Sequence, residues 1–281
     1  MNYVKLITVF LFYSFTLMPG FSQEKESEQE ETDLIEDFEG EAELAQAAQN
    51  PIASMISVPI QNNTNFGFGP FDRTQNVLNI QPVIPFRISS NWNLITRTII
   101  PVITQPDFFS ESGSNTGLSD ISFSAFFSPS KPSKFIWGAG PAISIPTATA
   151  DNLGTGKWAA GPSVVGLTFQ GQWVIGLLVS NVWSFAGQSD RADVNFFFSQ
   201  YFINYNMDHG WYLTSAPIIT ANWEASSGNQ WIVPFGGGPG KIFRIGKQPM
   251  NANIQAFYNA VKPDFGPDWQ FRLALTFLFP K

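Results

Sequence analysis

From about residue 54 onward, apolar and polar positions alternate with a period of two. Across 77–88, Leu78, Ile80, Pro82, Ile84, Phe86 and Ile88 fall on one face. Val77, Asn79, Gln81, Val83, Pro85 and Arg87 fall on the other. Across 250–260, Met250, Ala252, Ile254, Ala256, Tyr258 and Ala260 oppose Asn251, Asn253, Gln255, Phe257 and Asn259. Across 269–279, Trp269, Phe271, Leu273, Leu275, Phe277 and Phe279 oppose Gln270, Arg272, Ala274, Thr276 and Leu278. Such patterns give a strand one apolar and one more polar face. Turn-forming residues cut this body into twelve strands, at about 54–67, 74–88, 92–104, 119–128, 135–146, 158–169, 173–185, 194–205, 211–224, 230–243, 249–261 and 268–279. Short connections such as Ser89-Ser90-Asn91 and Gln170-Gly171-Gln172 alternate with mostly longer ones at 68–73, 105–118, 147–157, 186–193, 225–229 and 262–267. An even strand count with alternating short and long loops is the layout of an all-β, antiparallel transmembrane β-barrel of the Gram-negative outer membrane.

Tryptophan tests this independently. All nine lie near predicted strand ends: Trp92, Trp137, Trp173 and Trp211 beside short turns, and Trp158, Trp183, Trp223, Trp231 and Trp269 beside the other loops. Two interfacial aromatic girdles require that placement. A soluble sandwich core would not need tryptophan at both rims. Prolines at 82, 85, 101, 141, 162, 217 and 234 run against the pattern, because proline removes a ladder donor and a closed barrel has no edges. Gly138-Ala139-Gly140-Pro141 and Ala159-Ala160-Gly161-Pro162 are therefore expected to form bulges.

Several runs resemble a known family. Asn50-Pro51-Ile52, Gln61-Asn62-Asn63-Thr64-Asn65-Phe66-Gly67, Thr74-Gln75-Asn76-Val77-Leu78-Asn79-Ile80-Gln81-Pro82, Trp92-Asn93-Leu94-Ile95-Thr96-Arg97, Leu153-Gly154-Thr155-Gly156-Lys157-Trp158 and Phe243-Arg244-Ile245-Gly246-Lys247-Gln248-Pro249 are similar to the outer-membrane barrels grouped as "MetA-pathway of phenol degradation" proteins. Chains of this kind are often labelled transporter, or misleadingly neuromedin U. The resemblance spans about 48–281 and implies a barrel that passes small hydrophobic or aromatic compounds. It carries over no defined site. One departure is that Phe279 is followed by Pro280-Lys281, whereas such barrels usually end on an aromatic residue read by the assembly machinery.

Composition narrows the function. The chain is 44% hydrophobic and 15% aromatic but only 13% charged, and it has no cysteine. That excludes disulfides, thiolate metal sites and cysteine nucleophiles. The formal charge of -7 is uneven: residues 23–50 carry nine Glu, two Asp and one Lys, while 51–281 carry 13 basic and 11 acidic residues. The acidity belongs to a tail, and nucleic acid is not an expected partner. Residues 1–22 read as a secretory signal, with Lys5 as the positive flank, Leu6–Leu17 as the apolar core and Gly20-Phe21-Ser22 as the cleavage site. Residues 23–40 are expected to be disordered, and 41–49 to form a short helix stopped by Asn50-Pro51. The tail's carboxylates lack the spacing of a calcium loop. The expected organisation is a signal peptide (1–22), an acidic tail with a short helix (23–50) on the periplasmic side, and the barrel (51–281).

The candidate lumen-lining residues are Asn79, Gln81, Arg87, Arg97, Asp120, Asn251, Asn253, Gln255, Asn259 and Arg272, with Asp120 and Glu224 as carboxylate partners for the arginines. On the lipid face an arginine would cost about 2–4 kcal/mol at mid-depth. Pairing across Ser89-Ser90-Asn91 sets Arg97 opposite Val83. Inside, such charges either staple the lumen or line a pore. Twelve strands enclose a narrow lumen, partly blocked by 41–53. No catalytic, cofactor or metal site is expected. His209 is the only histidine and falls in a predicted periplasmic turn, and a triad needs its base beside a nucleophile. Gly236-Gly237-Gly238-Pro239-Gly240 lacks the phosphate-loop pattern and fits a bend or close packing within a strand. The expected partners are outer-membrane lipid, the barrel assembly machinery and small hydrophobic solutes. The leading function is a channel or passive transporter. The rivals are a barrel with a structural or interaction role and, third, a barrel-borne enzyme.

Overall fold

The computed structural model describes Leu44, residues 47–131 and residues 133–280. The expected signal peptide and the expected disordered stretch 23–40 lie outside the described residues. Fifteen strands form one antiparallel sheet: β1 (Ile56–Phe68), β2 (Arg73–Ile80), β3 (Val83–Arg87), β4 (Trp92–Pro106), β5 (Ser114–Leu118), β6 (Ile121–Pro129), β7 (Phe135–Ile145), β8 (Lys157–Gln170), β9 (Trp173–Gly187), β10 (Asn195–Asn206), β11 (Trp211–Ser215), β12 (Ile218–Asn222), β13 (Trp231–Ile245), β14 (Gln248–Val261) and β15 (Trp269–Phe279). Three pairs are halves of one broken stave: β2 with β3, β5 with β6, and β11 with β12. The result is a twelve-stave barrel, closed where β1 pairs with β15 from Ile56–Phe279 to Phe66–Trp269.

The breaks explain how the barrel tolerates proline. At Gln81-Pro82 the backbone stays paired: the Gln81 N–H donates to Pro59 O at 2.8 Å, and the Thr98 N–H donates to Pro82 O at 3.1 Å. At Ala216-Pro217 side chains replace the ladder. The Ala216 N–H donates to Gln255 Oε1 (3.1 Å), and its carbonyl accepts from Gln200 Nε2 (3.2 Å) and Arg272 Nη1 (2.7 Å). At Ser119-Asp120 the Thr147 hydroxyl bridges the gap, donating to Ser119 O at 3.0 Å and accepting the Ile121 N–H at 2.9 Å. These bonds satisfy backbone groups that the broken ladder leaves unpaired within the barrel wall.

Two expectations need correction. The stretch 105–118 is not only loop, because Ser114–Leu118 pairs with the upper end of β4. Nor do Gly138–Pro141 and Ala159–Pro162 form bulges against each other: the β7–β8 register is continuous, with Pro141 directly opposite Pro162. Each ring's missing donor falls on its other neighbour. There the β6–β7 ladder skips from Ser124–Ala142 to Phe127–Ala139, and the β8–β9 ladder from Ala160–Trp183 to Ser163–Ser180. Register shifts fall at Trp158/Ala159, the start of the second expected run, and at Val233/Pro234 and Asn65/Phe68.

The outer surface is apolar. Ile80, Ile84, Phe86, Ile175, Leu177, Leu213, Phe235, Ile254 and Leu273 are all exposed, which suits lipid and would be an aggregation liability in water. Aromatics ring both ends. Near the short turns Trp92 meets Trp137 edge-on at 6.0 Å and Trp173 packs on Tyr205 at 4.8 Å. Near the long loops Trp223 meets Trp231 at 5.2 Å and Tyr258 packs on Trp269 at 5.1 Å. One outward patch is polar, but its groups bond each other: Asn62 Nδ2 donates to Asn76 Oδ1, Asn76 Nδ2 to Thr64 Oγ1, and Thr64 Oγ1 to Asn62 Oδ1.

The inner face divides into two walls. Val83, Ile95, Phe126, Val165, Leu167, Val174, Leu178 and Phe202 pack together around Ile52, which comes from the segment preceding β1. On the other side Leu44, Ala47, Ala48, Ala53 and Met55 pack against Tyr212, Ile242 and Leu278. Leu44 and 47–49 are helical, and Asn50 turns the chain by accepting the Ile52 N–H on its side chain at 3.0 Å. Gln49 donates to Asn206 Oδ1 at 2.7 Å. The chain before β1 thus fills the short-turn end of the lumen.

Candidate functional site

Because the side-chain period is two, inward residues follow from register alone. Asn63 lies opposite Arg272, and Gln61 opposite Asn79, so the odd positions of β1 and β2 and the even positions of β15 share the inner face. Val83 lies opposite Arg97 across the Ser89-Ser90-Asn91 turn.

These residues enclose two chambers. The lower, toward the short turns, is a polar cavity of about 200 Å³ lined by Gln61, Gln81, Arg97, Gln200, Asn204, Tyr212, Asn251, Asn253, Gln255 and Arg272 and floored by 48–51. The upper, of about 450 Å³, is lined by Ile99, Ala142, Ile143, Leu153, Val182, Val194, Phe196 and Phe198, with serines 119, 122, 124, 144, 163 and 180 among them. Arg97 and Leu178 line both chambers and mark their junction.

The two arginines differ in how they are held. Arg272, 1% exposed, is engaged on every side. Its Nε donates to Asn63 Oδ1 (2.9 Å), Nη1 to Ala216 O (2.7 Å) and Nη2 to Gln270 Oε1 (3.0 Å), and its guanidinium lies 4.8 Å from the centre of the Phe257 ring. From Gln270 an amide chain continues through Asn65, Gln75 and Gln105. Arg97 has one hydrogen bond, from Nη2 to Gln81 Oε1 at 2.7 Å, and is half-buried, lining both chambers.

The remaining candidates separate. Asn79, Gln81, Asn251, Asn253, Gln255 and Asn259 sit on the inner wall, Asn259 bonded to Pro267 O near the long-loop end. Arg87 shares the inward parity of Val83 but lies exposed at the rim, its Nε 3.4 Å from Ser89 O. The expected carboxylate partners do not pair with the arginines. Asp120 accepts from the Ala148 N–H (3.2 Å), the Thr155 N–H (2.6 Å) and the Thr155 hydroxyl (2.7 Å), tying the loop before β8 to the barrel mouth. Glu224 is exposed in the loop after β12. Among the described residues the ion pairs are Lys157–Asp193, Arg191–Asp151 and Lys262–Asp268. His209 is exposed in the turn before β11 and lines neither chamber. Among the described residues no cluster of three His, Asp or Glu side chains could hold a metal ion.

Neither a protein-family profile nor a curated protein sequence matches the chain. Solved structures do. The COG4313 outer membrane channel from Pseudomonas putida F1 superposes with a TM-score of 0.62 at 17% identity, over 82% of this chain and 96% of that one. The NanC porin superposes with a TM-score of 0.50 at 8% identity, over 80% of this chain and 100% of that one. The fold is that of an outer-membrane β-barrel. Identities this low carry the architecture and leave the chemistry of the lumen to this chain's own residues.

Sequence reasoning missed Gln61, Asn63, Asn65, Gln75, Gln105, Gln200, Asn204 and Tyr212 as inward residues. The available signal was the alternation Gln61, Asn63, Asn65, hidden because the interleaved Asn62 and Thr64 are polar too.

Proposed function

We propose that the protein is a passive, non-enzymatic channel of the outer membrane for small, largely apolar molecules. The observation that carries this is the upper chamber, whose size falls within the roughly 300–1,000 Å³ of small-molecule sites. Its exposed wall surface is mostly apolar, and it shares Arg97 and Leu178 with the polar chamber below. The similarity to a protein described as an outer membrane channel supports the reading, as does the resemblance to the phenol-degradation barrels. In this reading the short turns and the tail 23–50 face the periplasm, and the long loops face outward. The test is uptake of an uncharged aromatic dye by intact Gram-negative cells, where lipopolysaccharide slows its unaided passage. Cells carrying the folded barrel should take it up several-fold faster than cells without it. Equal rates would favour the second reading, a closed barrel with an interaction role, to which the segment filling the short-turn end lends weight.

A further inference from the structure

The two arginines do different things, and the difference names a ligand chemistry. Arg272 gives three of its five N–H donors to protein acceptors and packs against the Phe257 ring. Arg97 gives one. One arm is fixed by Gln81, which sets its orientation, and the rest of the fork faces the junction of the two chambers. No carboxylate among the described residues pairs with it. Among the described residues the lower chamber has no acidic lining residue, and the oxygens of Asp120 in the upper one accept from the Ala148 and Thr155 donors. A guanidinium taken out of bulk water with an open fork is matched to a carboxylate, because its planar donors fit two oxygens at once. A second observation points into the same space. Ser163, 1% exposed, lines the upper chamber, and its hydroxyl has no hydrogen-bond partner. Buried hydroxyls are ordinarily bonded, so an unpaired one in a cavity wall fits a site that a ligand completes once the Ser163 side chain turns toward it.

We infer that the junction binds a monocarboxylate with an apolar body, its carboxylate held by Arg97 and the Ser163 hydroxyl and its body in the upper chamber. The inference deepens the channel reading, on which it rests, by naming the solute class of that same lumen.

The test uses the full chain in lipid nanodiscs, with para-fluorobenzoate and its uncharged isostere para-fluorobenzamide followed by fluorine NMR against empty nanodiscs. The benzoate should bind at least about tenfold more tightly than the benzamide, the ratio that one charge-assisted hydrogen bond supplies. Arg97→Gln should erase that preference, and Arg97→Lys should keep part of it. Equal binding of the two probes by the unaltered protein would overturn the inference, as would an intact preference in folded Arg97→Gln. Should Arg97→Gln not fold, Ser163→Ala decides. It removes a hydroxyl that bonds nothing, so the fold should persist, and benzoate binding should weaken by about threefold or more. An unchanged affinity would refute the site. The two readings fail separately: a carboxylate preference without accelerated dye uptake removes the channel and keeps the site, and accelerated uptake without that preference does the reverse.

Discussion

Replacing Arg272 with methionine should cost the barrel more than the same change at Arg97. Arg272→Met removes three charge-assisted hydrogen bonds, to Asn63, Ala216 and Gln270, and the stacking on Phe257. Hydrogen bonds to charged groups contribute about 1.5–3 kcal/mol each, and the cation–π contact adds about 0.5–2 kcal/mol. The sum overstates the loss, because water in the adjoining cavity can solvate some of the freed acceptors. Leaving buried carbonyl acceptors unpaired costs about 1–3 kcal/mol each, partly offset because the guanidinium no longer has to be desolvated, so a net loss of about 2–4 kcal/mol is the expected effect. The Ala216 carbonyl makes the loss specific: it faces the Pro217 break, where Arg272 and Gln200 stand in for a strand. Arg97→Met removes the single bond to Gln81, worth at most about 1.5–3 kcal/mol by the same measure. The assay is urea unfolding of the barrel refolded into lipid vesicles, read by tryptophan emission and by heat-dependent gel mobility. A loss below about 1 kcal/mol for Arg272→Met, or an equal loss for both variants, would refute the division into staple and lining residue.

Two further outcomes follow from register and from the lumen filling. A water-soluble thiol reagent should label Asn253→Cys, on the inner wall, and spare Ile254→Cys, which is 47% exposed on the lipid face; the chain's lack of cysteine keeps the background clean, and the reverse pattern would put the register off by one. Ile52→Asn should release the segment before β1, because burying isoleucine contributes about 1.5–3 kcal/mol and an amide among Ile95, Phe126 and Phe202 would lack partners; dye uptake should rise a few-fold while the unfolding midpoint of the strands shifts little, and unchanged uptake would show that this segment does not limit passage.

The strand pattern was readable because a barrel wall sits between two media. Where lipid and lumen differ strongly, as along β14 and β15, alternation is clean and the inner positions can be named from the sequence. Along β1 and β2 both faces are polar, since Asn62, Thr64 and Asn76 satisfy one another on the outside, so the inner amides could not be sorted there. The prolines misled for another reason. Period-two reasoning treats a missing donor as a bulge, but here it is absorbed by setting Pro141 against Pro162 and by placing Gln255 and Arg272 at the gap before Pro217. Those are contacts between residues far apart in sequence, which a local pattern does not contain. The charged partners failed likewise: Asp120 was matched to the arginines by charge, whereas its height in the barrel gives it to the Thr155 loop.

Passage through the lumen is tested most directly at Leu178, which lines both chambers and is 5% exposed. Cells carrying Leu178→Cys should take up the uncharged aromatic dye at the rate of the unaltered protein until a bulky thiol reagent is added, and then slow toward the rate of cells lacking the barrel. The same reagent on Ile254→Cys should change nothing. Uptake that persists after quantitative modification of Leu178→Cys would contradict a route through the chambers.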